Sequence, residues 1–156
     1  MLIRTLLKLY VISIILVFST QCIYLTKLDA AEDLLDTSDS ILIKETVNNA
    51  VNDNRWFNAS SQEEVKSILD DYYTGPLLDV LTADTWKFVQ QCTDWPYQVS
   101  VEEVKITYLT NDSAVVNASL KDKDLYTGNE IHGLAVYNLI KTENNWRIIS
   151  DKYKWE

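Results

Sequence analysis

The residue most suited to proton transfer in this 156-residue chain is His132, the single histidine. General acid–base work needs a partner within hydrogen-bond reach of the ring. Asp94 and Asp151 are the conceivable partners, and nothing in their spacing selects either. Strand parity sets His132 with Leu134, Val136 and Asn138, on the face opposite Tyr137 and Leu139, which predicts a solvent-facing imidazole. Asp94, just before Trp95–Pro96, reads as an Asx-turn residue. Cys92 as a nucleophile would require a base and an oxyanion site. It falls at the end of a predicted helix, where the dipole disfavours a thiolate.

Metal and phosphate chemistry find little footing. Asp122–Lys123–Asp124 followed by Gly128 resembles a calcium loop, but Tyr126 and Thr127 stand where an oxygen ligand and glycine belong. With one His and, once the leader is removed, one Cys, the sequence argues against zinc. Glycine occurs only at Gly75, Gly128 and Gly133, which leaves no phosphate-cradling loop. No cofactor is expected. What remains is aromatic: Trp56, Tyr73, Trp86, Tyr97, Tyr108, Tyr137 and Trp146 are candidates to line a cavity for an apolar or mixed ligand. The competing expectation is that these rings fill the interior of a domain poor in Phe and Met.

The elements that must position these residues follow from periodicity. Ser38, Asp39 and Ser40 offer N-caps to a helix whose stripe is Ile41, Ile43, Lys44, Val47, Ala50 and Val51. Ser61 with Glu64, and Ser60 with Glu63, form capping boxes for a second helix through Val65, Ile68, Leu69, Tyr72 and Tyr73. Thr74–Gly75–Pro76 ends it, and Pro76 suits the first turn of a third helix running to Gln91. From Tyr97 the period changes to two. Four strands are predicted: Tyr97 to Tyr108 with a bulge at Glu102–Glu103, Ala114 to Leu120, Ile131 to Ile140, and Trp146 to Trp155. Helices followed by an antiparallel meander make an α+β domain over residues 36–156, with N-terminal helices packed on a strongly bent sheet.

Residues 1–31 are different material. Arg4 and Lys8 precede an uncharged run from Leu9 to Thr26, and Asp29, Glu32, Asp33 and Asp36 follow it. The pattern reads as a cleaved signal peptide or as an N-terminal membrane anchor. Acylation at Cys22, though preceded by Gln21, and an ordinary buried helix are the other readings. The basic flank places the body outside the cytoplasm, extracellular or held at the outer face of the membrane. Beyond residue 31 the chain carries 11 basic and 22 acidic residues, a balance that repels phosphate backbones and excludes nucleic-acid partners.

The strand AVVNASL (Ala114–Leu120), then GLAVYNLI (Gly133–Ile140) and NNWRII (Asn144–Ile149), resembles the NTF2-like, ketosteroid-isomerase-like cone domains of small exported bacterial proteins. Tyr137, Leu139 and Lys141 match that family's aromatic-x-Leu-x-Lys strand end, and Trp146 and Ile148 its Trp-x-Ile. The segment Asn58–Thr74 holds more helix than the simplest members need. The resemblance implies a fold and not a chemistry. Three functions are therefore carried forward: a non-catalytic binding or protein-interaction module of the cell envelope, a small pocket enzyme of isomerase or dehydratase type, and a subunit that dimerises through its sheet. The expected partner is an envelope protein or a small apolar ligand.

Overall fold

The computed structural model describes residues 38–91, 96–143 and 145–156. The leader, with its cleavage, anchoring and acylation readings, lies outside these residues, as do Cys92 and Asp94. Helix α1 spans Ser38–Asn52, a 3-10 turn spans Arg55–Asn58, α2 spans Gln62–Leu69 and α3 spans Gly75–Gln91. Strands β1 (Tyr97–Leu109), β2 (Ser113–Asp124), β3 (Glu130–Thr142) and β4 (Asn145–Trp155) follow. They form one antiparallel sheet in the order β1-β2-β3-β4. Among the described residues, no helix is long and apolar enough to cross a membrane.

The helix boundaries follow from local chemistry. Ser61 caps α2 by accepting from the Glu64 amide at 3.2 Å. The Glu64 carboxylate reaches back to the amide and hydroxyl of Ser60 at 2.8 and 2.7 Å. Glu64 therefore serves both serines, and the second expected box, Ser60 with Glu63, is replaced by Ser60 with Glu64. Those bonds hold the Glu64 carboxyl below the ordinary carboxylate range. The buried face of α1 is Ser40, Ile43 and Val47, and Ile41 is left half-exposed. A step of about 100° per residue rotates Ile41 off that stripe.

The core lies between the helices and one face of the sheet. Ile43, Val47, Val65, Leu69 and Leu78 meet Ile106, Val116, Leu120, Tyr137, Leu139, Trp146 and Ile148. The free edge of β4 is partly covered: Ile148 donates to the Tyr72 carbonyl at 2.8 Å, and the Thr74 amide donates to Ile148 at 3.0 Å. A short parallel bridge of Tyr73 to Ile148 results. Trp146 is held by α1, its indole N–H donating to Asp39 at 3.1 Å while Lys141 bonds the same carboxylate at 2.8 Å. Hydrogen bonds from Lys141 and then Trp146 hold Asp39 below the usual carboxylate range.

Three register shifts decide which side chains face inward. The first falls between Val101 and Glu103, where the sequence pattern slips. The second falls between Ile106 and Tyr108. The third lies opposite Asn138–Leu139, where Ile149 is the extra residue between Ile148 and Ser150. A bulge reverses strand parity beyond it and bends the strand. Tyr108, expected to face the interior, is turned outward by the second bulge; it pairs with Val115 and is 56% exposed, while Leu109 takes the inward place beside Ala114.

Candidate functional site

The candidate rings divide among three places. Tyr73, Tyr137 and Trp146 are 6%, 0% and 1% exposed and fill the space between helices and sheet. Trp86 packs half-buried against that core from α3. Trp56 and Tyr97 come together elsewhere, in a cleft of about 610 Å³ between the end of α1, the 3-10 turn and the start of β1. Tyr108 stands alone on the outer face of the sheet.

The cleft is built from a short stretch of sequence. Asp53 ends α1 and locks the chain for the turn that follows. Its carboxylate accepts the Arg55 amide at 2.9 Å and the Arg55 guanidinium at 2.6–3.0 Å. The Tyr72 hydroxyl donates to it at 2.9 Å, and Arg55 also reaches Asp71 at 2.7 Å. Burial pushes the Asp53 carboxyl up, but the bonds from Arg55 and Tyr72 outweigh it and hold the group below the ordinary range. This carboxylate stays ionised and occupied at neutral pH. The turn then presents Trp56 and Phe57, whose rings lie 5.6 Å apart by centroids and 6.0 and 6.2 Å from Phe88. Asn54 and Asn58 flank the rings, and Gln98 and Val99 face them from β1. The side-chain amides of Asn54 and Asn58 bond to no described residue.

A second constellation lies on the inner face of the sheet, around the buried Tyr137. The Ile149 bulge sets Asp151 opposite Tyr137 and Tyr153 opposite Ala135, on the inner face. The Tyr153 hydroxyl donates to Asp151 at 3.2 Å, and its ring meets Tyr137 edge-on at 5.9 Å. The Tyr137 hydroxyl is buried without a hydrogen-bond partner. Burial pushes Tyr137 up to about 12 and raises Tyr73 and Tyr153 as well. Tyr153 is 48% exposed overall, but it is the hydroxyl end, set between Tyr137 and Asp151, that titrates. Burial also lifts the Asp151 carboxyl above its ordinary range, against the hydrogen bond from Tyr153.

That direction has a measurable consequence. An acid with a raised folded-state value binds its proton more tightly when folded, so its contribution to stability is present at low pH and lost as pH climbs through the raised value. Asp151→Asn removes this cost. The variant is expected to melt a few degrees above wild type at pH 7 and level with it near pH 3, by calorimetry at both pH values. A variant less stable than wild type at pH 7 would refute the assignment.

His132 lies on the outer face, 58% exposed, its Nδ1 3.1 Å from Glu102. It is remote in parity from Asp151, so the two do not form a pair. The calcium-like stretch resolves into a turn in which Asp124 accepts from the Tyr126 and Thr127 amides at 2.8 and 3.1 Å. No group of three or more potential metal ligands occurs among the described residues. Asp53, Asn54, Arg55 and Asn58 are not among the candidate residues that the sequence singles out. The available signal was Asp-x-Arg beside Trp56–Phe57, bracketed by asparagines.

These elements make an α+β fold of helices packed on a four-stranded antiparallel sheet, the architecture that the resemblance to NTF2-like cone domains implies. No protein-family model matches the sequence, and neither does any curated protein. Solved structures do match. Bd1075 of Bdellovibrio bacteriovorus is similar with a TM-score of 0.50 at 13% identity, over 72% of this chain and 40% of that one. This chain thus spans well under half the length of Bd1075. An NTF2-like protein of unknown function from Pseudomonas putida KT2440 is similar at a TM-score of 0.48 and 14% identity, over 72% and 82%. The intermembrane space region of the chloroplast protein ARC6 gives 0.46 and 15%, over 72% and 96%. At such identities the likeness is one of fold alone.

Proposed function

We propose that this domain is a non-catalytic binding module that works outside the cytoplasm and captures its ligand in the Trp56–Tyr97 cleft. The observation that carries this reading is the cleft itself: an aromatic floor with free amides, whose one carboxylate is tied to Arg55. A carboxylate so held is a poor general base, because its proton affinity is far from that of the reacting groups it would serve. Arg4 and Lys8, ahead of the uncharged run Leu9–Thr26, support the location. A second reading, a pocket enzyme of isomerase or dehydratase type, rests on the Asp151–Tyr153 pair beside the buried Tyr137 hydroxyl.

Two measurements test the first reading. In the native cells, Asn54→Cys made in a Cys92→Ser parent is expected to react with a membrane-impermeant maleimide before lysis, beyond the labelling of that parent; a gain seen only after lysis overturns the location. Purified full-length protein is expected to co-sediment with isolated envelope material, and Trp56→Ala to lower that binding at least about tenfold, as loss of a buried aromatic anchor does. Absence of binding, or binding lost with Asp151→Asn and kept with Trp56→Ala, overturns the cleft as the site.

A further inference from the structure

We infer that the cleft takes a neutral oligosaccharide. The inference rests on the binding-module reading and adds the class of ligand. Its basis is the combination of faces that the turn after α1 presents. Trp56 and Phe57 offer ring surface whose negative π-face attracts the weakly positive C–H bonds on one side of a pyranose. Asn54 and Asn58 carry amides that bond to no described residue, each with two donors and an acceptor. That pairing matches adjacent sugar hydroxyls, which also donate and accept. Gln98 adds a third amide-bearing residue from the opposite wall.

Charge narrows the class further. The lining among the described residues holds no lysine, arginine or histidine, so nothing there favours a phosphate, a sulfate or an acidic sugar. Its single acid, Asp53, is neutralised by Arg55 and so does not recruit a cation. The volume, about 610 Å³, falls inside the ~300–1,000 Å³ of small-molecule sites and admits more than one ring. A peptide added to the edge of β1 beside Tyr97–Val99 would bind through backbone hydrogen bonds and would have no use for Asn54 and Asn58 on the opposite wall.

The test is a titration of the isotope-labelled full chain with a β-1,4-linked N-acetylglucosamine tetramer, with cellotetraose, and with an alanine hexapeptide, each to roughly 10 mM, where millimolar affinities saturate. The expected result is saturable movement of the Trp56 indole and the Asn54 and Asn58 side-chain amide resonances with at least one tetramer. Affinity should be unchanged between pH 5 and 8. Asn54→Leu, an exposed substitution that breaks no bond within the described fold, should weaken it at least fivefold while leaving the melting temperature alone. Saturation by the hexapeptide alone, indifference to both tetramers, or full affinity in Asn54→Leu overturns the inference. If the tetramers fail while envelope material still binds in a Trp56-dependent way, the saccharide is wrong and the binding module stands. If wild type binds neither, both fall.

Discussion

Removing Trp146–Glu156 is expected to abolish cooperative unfolding. The segment is β4, and it closes the core in three ways. It buries Trp146 and Ile148 at 1% and 0% exposure, and it covers the edge of β3 along Gly133 to Thr142. It also receives the Tyr72–Thr74 segment that joins α2 to α3. Full burial of one large apolar side chain contributes about 1.5–3 kcal/mol. Deletion forfeits two such side chains and uncovers Tyr137 and Leu139 on the neighbouring strand. The combined loss is of the order of the whole stability of a domain this size, about 5–15 kcal/mol. Far-UV circular dichroism and calorimetry of the truncated chain check it. A sharp, reversible melt would show that β4 is not part of the closing wall.

Trp146→Ala is expected to destabilise the intact chain by about 3–5 kcal/mol, the range for deleting a buried large aromatic. The indole joins the core, meets the Lys141 ammonium at 5.8 Å and donates to Asp39. Alanine leaves a cavity between α1 and the sheet and deprives the Asp39 carboxylate of one of its two donors. The Lys141 bond survives, so α1 is not released outright. Trp146→Phe separates the terms: it keeps most of the packing and loses the N–H donor, a net effect of about 1 kcal/mol. Urea denaturation of the three proteins measures both steps. A loss below about 1 kcal/mol for Trp146→Ala would mean that the site collapses around the smaller side chain.

Much of the architecture was legible because its signals are local. Ser61 and Glu64 announce the start of α2 through bonds three residues apart. The alternation Ala114, Val116, Ala118, Leu120 is the buried face of β2 without exception. The outward placement of His132 follows because steps of two from Tyr137 reach Ala135 and Gly133 and leave His132 on the other face. The cleft was much less legible. Asp53, Asn54, Arg55 and Asn58 are polar residues in a break between helices, and polarity alone does not separate a solvated turn from a ligand wall. Arg55 meets Asp71 and Tyr72 across 16 and 17 residues, a closure that no local pattern encodes. Tyr97 joins Trp56 only because α1 packs on β1.

The sequence by itself determined the order of elements, the cap of α2 and the face of β2 and β3 that is buried. Only the tertiary structure decided the inward side of β4 and of the end of β1. Each bulge reverses strand parity, and its position depends on how two strands pair rather than on one strand's pattern. Without the Ile149 bulge, Ser150, Lys152 and Lys154 would continue the inner face after Ile148. With it, Asp151, Tyr153 and Trp155 turn inward, the Trp155 ring lies over Gly133, and a carboxyl comes to rest beside a buried phenol. The same logic sends Tyr108 out to solvent, and the candidate rings fall into a filled core and a separate cleft.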